Sequence, residues 1–339
     1  MDIYHWPSPE GNFGDDLNTW LWDFLLPGYR EIPSDDLLVG VGTVLDTALL
    51  PECRKKLVVG SGTGYGQTPS VDDRALWDIR CVRGPLTAGR LGIDVEKGIL
   101  DPAVLIADME EFQGLDTTLG TVFVPHWESA LHGCWDEVCR HAGITYIDPC
   151  AEAHEVIARI AQSTLVIAES MHAAILADAF RVPWIAVTTS KQINAFKWRD
   201  WAGSLEMDYA PHVLPLSSPL EAGAKGAPYF GLRWPKMAGE RSAQAPNLVS
   251  VPVDGEIAPH GENGKRGLKA RVKALLSSRV VRRALMVPAV SALERCCKAE
   301  PMLSDEHVLA RQKERFYEVL DGVKRDYGLG FSGALENAS

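Results

Sequence analysis

No uninterrupted apolar run in this chain approaches the length that crosses a bilayer as a helix. Its start, Met1-Asp-Ile-Tyr-His-Trp6, carries no basic segment ahead of an apolar one. That argues against a secretory leader, reads as a first strand, and implies a cytoplasmic protein. Cations are the scarcer charge: 34 Lys and Arg against 45 Asp and Glu give a net charge of −11 over 339 residues. Such a balance leaves too little basic surface to displace counterions from phosphates, which argues against general nucleic-acid binding. The seven cysteines form no CxxC pair, and their only adjacent pair is Cys296-Cys297. They read as reduced thiols filling core, not as zinc ligands or a disulfide framework. Two phosphate-loop signatures are missing as well. In Val58-Val-Gly-Ser-Gly-Thr-Gly-Tyr-Gly66, Tyr65 stands where the third glycine of a dinucleotide fingerprint belongs, and no Gly-Lys-Ser/Thr follows. So many glycines after a strand still mark a close approach, of a ligand or of a facing part of the protein.

What is present is alternation. Apolar runs at 2–6, 37–41, 57–61, 78–82 and 104–107 predict strands, with helical stretches at 16–26 and 85–91 between them. After a polar segment at 110–119 the series restarts. Strands are expected at 121–125, 144–147, 164–168 and 184–187, and helices at 129–142, 151–162, 172–180 and 194–205. Two such series predict an α/β protein of two doubly wound, Rossmann-like domains facing a cleft, at residues 1–115 and 116–209. Residues 210–264, rich in Pro, Gly, Ser and Ala, predict an irregular linker or long loop. Residues 265–339 predict helices. The first, Lys265–Arg283, holds eight cations and no acid on an amphipathic pattern. It suits an anionic membrane surface as well as it suits an acidic face of the protein itself. The second, Asp305–Asp326, is polar.

Several polar groups fall at carboxyl ends of expected strands, where open α/β sheets bind ligands. Ser170-Met-His172 lies between a strand and a helix, so His172 sits beside the free N–H groups of a helix start. A histidine there is either a proton donor next to an anion or a helix-start residue bonded to backbone. Asn12, Gly14, Asp15 and Asp16 form the turn after the first strand. One side chain suffices for a helix cap, and the surplus carboxylate suits a base for a substrate hydroxyl. Arg83, before Gly-Pro-Leu-Thr87, is expected at a sheet edge with its planar donors free for a carboxylate or phosphate. His126 opens the second series as Asn12–Asp16 opens the first. Lys197, in Lys191-Gln-Ile-Asn-Ala-Phe-Lys197-Trp-Arg-Asp-Trp201, is a cation flanked by tryptophans that read as core.

Taken in order, Asn12-Phe-Gly-Asp-Asp-Leu17, Arg83-Gly-Pro-Leu-Thr87, Asp101-Pro102, Pro125-His126, Ser170-Met-His172 and Lys197-Trp-Arg-Asp-Trp201 resemble the polysaccharide pyruvyl transferase family, in particular its ketal-forming members. The resemblance spans roughly residues 1–205 and implies a fold like the B-type glycosyltransferases. It implies phosphoenolpyruvate as donor, a lipid-linked oligosaccharide as acceptor, and no cofactor. Many members carry an arginine where this chain has Ser170, so the donor's charges fall to Arg83 and Lys197. On this reading His172 is the general acid, with His126 as its alternative, and Asp15 is the base. Asn12, Gly14, Asp16 and Ser170 line the substrate. A peripheral position on the inner face of the membrane follows from the acceptor and the basic stretch. Two other readings stay open: a sugar-nucleotide glycosyltransferase of the same fold, and a non-catalytic assembly protein at the membrane.

Overall fold

A computed structural model describes residues 1–51, 54–69, 75–191, 193–233 and 279–329. Two parallel sheets organise it. The first joins β1 (Asp2–Ile3), β2 (Leu37–Val39), β3 (Lys56–Val59) and β4 (Trp77–Cys81) in the order β1-β2-β3-β4. Leu38 pairs with Leu57, and Leu57 with Asp78. The second joins β5 (Thr121–Val124), β6 (Thr145–Tyr146), β7 (Leu165–Ala168), β8 (Trp184–Thr188) and β9 (His212–Val213) in the order β6-β5-β7-β8-β9. Counted within its own half, that order is 2-1-3-4-5, the flavodoxin-like doubly wound arrangement. The central strands are buried on both faces, so they read as continuous apolar runs.

Helices follow the strands: α1 (Phe13–Asp16), α2 (Leu21–Leu25), α3 (Pro85–Leu91), α4 (Trp127–His132), α5 (Trp135–Ala142), α6 (Ala153–Ala161), α7 (Met171–Ala179), α8 (Ala195–Ser204), α9 (Pro219–Ala224), α10 (Arg279–Cys296) and α11 (Glu306–Tyr327). In the second half Phe123, Ile167, Ile185 and Val187 face α5 and α10, while Val122, Val124, Val166 and Ala168 face α6 and α7. All nine residues of α7 are buried. A helix apolar all round must be covered on every side, and α7 lies between its own sheet and a 3-10 helix, Pro102–Asp108, from the first half. Each buried Leu or Ile there contributes roughly 1.5–3 kcal/mol relative to exposure. One apolar core therefore runs through both halves. The chain closes by returning: α11 covers the first sheet with Leu309, Phe316, Leu320 and Val323. It is tied there by Arg80–Asp326 at 2.5 Å and by Tyr327 donating to Asp36 at 2.9 Å.

Several expectations change. The run 104–107 is the 3-10 helix just named, not a strand. Asp101 caps it by accepting from Ala103 N–H, and Pro102 starts it; a short buried apolar run does not reveal its period. The stretch 16–26 breaks at Trp20, and 129–142 breaks at Gly133-Cys134. The first sheet is not doubly wound. It steps in one direction, and the described residues 40–51 and 60–69 that leave β2 and β3 contain no helix. Residues 210–233 are ordered: they supply β9, α9 and the hairpin of β10 (Pro228–Tyr229) with β11 (Leu232–Arg233). Residues 265–278 of the basic stretch lie outside the described residues; α10 begins at Arg279. Among the described residues no helix is long and apolar enough to cross a membrane.

Candidate active site

The strand order of the second sheet reverses between β5 and β7, and a crevice opens beyond the carboxyl ends of strands at such a reversal. His126 follows β5 and Ser170–His172 follow β7, so both expected histidines flank the reversal. His126 caps α4: its Nδ1 accepts from Glu128 N–H at 3.4 Å, which leaves Nε2 to carry the ring proton. Burial pushes its pKa down to about 4, against the pull of Glu169. Ser170 precedes α7 without a side-chain cap bond. His172, in the first turn, packs edge-on to Phe13 at 6.4 Å. Its Nε2 is buried with no hydrogen-bond partner among the described residues. Burial, then the charges of Lys197 and Arg83, lowers its pKa to about 3, so the ring rests neutral.

The turn after β1 leans on that ring. A Cβ on Gly14 would lie 1.9 Å from His172 Nδ1, so only glycine permits this approach. Phe13 N–H donates to Pro149 O at 3.0 Å and ties the turn to the second half. Asn12 accepts from Gly14 N–H and donates through Nδ2 to Asp15 at 2.6 Å. Burial raises the Asp15 pKa, while Lys197 and the Asn12 bond oppose the rise. Asp16 is not brought to the same group: it pairs with His5 at 3.2 Å.

Lys197 reaches the site from α8, whose start Asn194 caps. Its ammonium sits 5.2 Å from the Tyr65 ring centre, and among the described residues no carboxylate pairs with it. Its charge acts on Asp15, Asp101, His126 and His172, so all four lie within its electrostatic reach. The glycine-rich loop makes the approach possible. A Cβ on Gly64 would meet the Lys197 stem at 2.9 Å, and Asn194 Nδ2 donates to Gly64 O at 2.8 Å. Gly64 is thus the glycine of this loop that meets the facing half; Gly60 and Gly62 make room for Pro102 and Arg83.

Arg83 departs from expectation. Its donors are not free: the fully buried guanidinium bonds Asp200 at 3.1 Å, Thr43 Oγ1 at 2.8 Å and Thr63 O at 3.0 Å. Asp200 also takes the Thr87 N–H and hydroxyl. An arginine emerging at a strand end looks available in sequence, and only the fold shows a carboxylate from residue 200 facing it. Sequence reasoning also missed Thr43, Tyr65, Asn194 and Glu169. Asp101 belongs with these: its carboxyl is buried, its Oδ2 has no partner among the described residues, and burial raises its pKa to about 6 against the pull of Arg83.

Fold and site together define an α/β protein whose second sheet gathers two histidines at a reversal of strand order, with Asp15 and Lys197 brought in from a neighbouring turn and from α8. A model of the polysaccharide pyruvyl transferase family matches residues 2–191, and the chain belongs to that family. It is 52% identical over 328 residues to the succinoglycan biosynthesis protein ExoV of Rhizobium meliloti (strain 1021), covering 96% of this chain and 100% of the relative. No solved structure matches the chain.

Proposed function

We propose that this pyruvyltransferase takes its pyruvyl group from phosphoenolpyruvate. It sets that group as a cyclic ketal on a sugar of an exopolysaccharide repeat unit carried on a lipid, and it releases phosphate. The observation that carries the reading is an unpartnered buried imidazole, His172, packed against the turn that bears the carboxylate Asp15, with the charge of Lys197 acting on both. The donor brings a carboxylate and a phosphate to a site that offers Lys197, a cation without a carboxylate partner among the described residues. Their negative charge raises the affinity of His172 for a proton on arrival, so the acid is made by the substrate it serves. His172 then protonates the methylene carbon of the enol. An acceptor hydroxyl adds to the resulting oxocarbenium-like centre while Asp15 takes its proton. Phosphate leaves with the proton held by Asp15, and a neighbouring hydroxyl closes the ketal by returning its proton to His172. Lys197 holds the anionic groups throughout. Arg83 acts at one remove, fixing Thr43 and the Thr63 carbonyl. His126 is the alternative acid. The two halves act as facing lobes, as in B-type glycosyltransferases. The basic stretch Lys265–Arg283 brings the crevice to the anionic inner leaflet where a lipid-linked acceptor lies.

The test is phosphate release by the full chain from phosphoenolpyruvate, with and without an acceptor lipid extract. Acceptor-dependent release, with an acid-labile pyruvyl group left on the lipid fraction, is expected, and it falls in His172→Ala by about 100-fold or more. No release from phosphoenolpyruvate, with nucleoside diphosphate released from a sugar nucleotide instead, would overturn the reading. A folded His172→Ala variant at normal rate moves the acid to His126.

A further inference from the structure

Behind His126 the molecule buries charges that neither donor holding nor proton transfer uses. Glu169 follows β7 directly and is fully buried. Its Oε2 accepts from the His126 N–H at 3.0 Å. Its Oε1 accepts from the Thr189 N–H at 3.0 Å and from the Thr189 hydroxyl. The backbone N–H groups of Glu169 and Ser170 both donate to Val124 O. One residue thus ties together the chain just past β5, β7 and β8. Its countercharge comes from far along the sequence. The Lys225 ammonium, also buried, stands 3.8 Å from Oε1 and 2.9 Å from Glu221. It donates to Ser129 Oγ at 2.5 Å and to the Thr189 hydroxyl. Glu221 is in turn held by Trp135 Nε1 at 3.1 Å and by the Ser217 N–H and hydroxyl. All of α9 lies beyond the residues matched by the family model.

Taking two carboxylates and an ammonium out of water costs more than their pairing reliably returns. Well-packed apolar residues would hold these strands together as firmly. The direct outlet of the network is the turn bearing His126, beside the start of the helix bearing His172.

We propose that Glu169 is a positioning residue for pyruvyl transfer: its carboxylate fixes the His126 turn against the start of α7, with Lys225 of the α9 segment as the countercharge. This rests on the reading of both histidines as site residues. The charged groups facing His126 are Glu128, Glu169, Lys197 and Lys225. Glu169 favours the ring's protonated form, and the two lysines oppose it.

Glu169→Gln tests the clamp. It leaves Lys225 and Glu221 as a balanced pair, so the fold should hold. Glutamine keeps one acceptor oxygen but turns an amide N–H₂ toward the other donors. The amide resonances of His126 and Thr189 should both move in the substrate-free protein. The kcat of phosphoenolpyruvate-dependent phosphate release should fall by up to about 100-fold, with KM for the donor little changed. If that variant does not fold, Thr189→Val removes one donor to Oε1 without touching a charge, and a severalfold lower kcat is expected. A wild-type kcat in folded Glu169→Gln, or in Thr189→Val where that variant is needed, overturns the proposal. So does a rate loss in Glu169→Gln with both amide resonances unmoved. The resonances are read without substrate, so the two failures are told apart. A wild-type enzyme silent with phosphoenolpyruvate overturns the donor reading, and unmoved resonances overturn the clamp.

Discussion

The two parallel sheets are alike in composition and differ in how they wind. The first adds β1, β2, β3 and β4 in one direction, while the second turns back once, between β5 and β7. The charges at their edges differ in the same sense. At the first sheet Arg83 is enclosed and matched by Asp200. At the second, His172 keeps a ring nitrogen without a partner, and Lys197 leans in without a carboxylate among the described residues. The open groups gather near the reversal of strand order, while the other buried charges there, Glu169 and Lys225, are matched as Arg83 is. The first half serves the site through loops and turns laid against the second: Asn12–Asp15, Thr43 and Gly64.

Substitutions can break this contrast. Arg83→Met leaves Asp200 buried without its cation, and removing one partner of such a pair costs about 3–5 kcal/mol. Denaturant unfolding should show that loss. A stable variant defective only in donor use would return Arg83 to the donor. Lys197→Met should do the reverse. Its unfolding midpoint should stay near wild type, while kcat/KM for phosphoenolpyruvate falls about 100-fold to 1,000-fold, as for other single groups that stabilise developing charge. Equal kinetics would show that the open cation is not the anion holder. Gly14→Ala joins the two halves in one measurement. Its methyl group would lie 1.9 Å from His172 Nδ1, so either the turn or the ring must move, at a typical cost of about 1–3 kcal/mol. Both stability and rate should drop, and an unaffected rate would show that the ring's position is not critical.

The smallest effect is a pair of opposed slopes. Asp101 has its folded pKa raised to about 6, so the stability it contributes is full below the ordinary carboxylate range and is lost as pH rises toward 6. His172 has its folded pKa lowered to about 3, so its contribution is full above the ordinary histidine value and is lost as pH falls toward 3. Relative to wild type, Asp101→Asn should gain as pH rises from about 4 to 6, and His172→Gln should lose, each by at most about 1.4 kcal/mol per pH unit. Slopes of the same sign would contradict the burial of one of the two groups.

How much of this was legible depended on distance along the chain. Strands with their own apolar run, and helices with a local cap such as Asn194 or Asp305, appear in the sequence close to where the structure has them. So do His126 and His172, because the end of a strand is a local event. The 3-10 helix at 102–108 was not legible, since four buried apolar residues carry no period. The enclosure of Arg83 was not legible because its partner lies 117 residues away. Glu169 had a local sign: a carboxylate closing the run Leu165–Ala168, one residue before Ser170-Met-His172. Its meaning needed Thr189 and Lys225, which only the fold brings near.

The return of α11 sets an order for synthesis. Its contacts with the first sheet join residues 246 and 291 positions apart, so they cannot form while the chain is still emerging. The sheet made earliest therefore waits, one apolar face uncovered, until the helix at 306–327 has left the ribosome. Contacts of such separation close slowly, and partly built chains with bare apolar faces are prone to aggregate. A chain stopped before Glu306 would keep every residue of the crevice and still lack a soluble first half, so premature termination should send it to proteases and chaperones rather than to a polysaccharide.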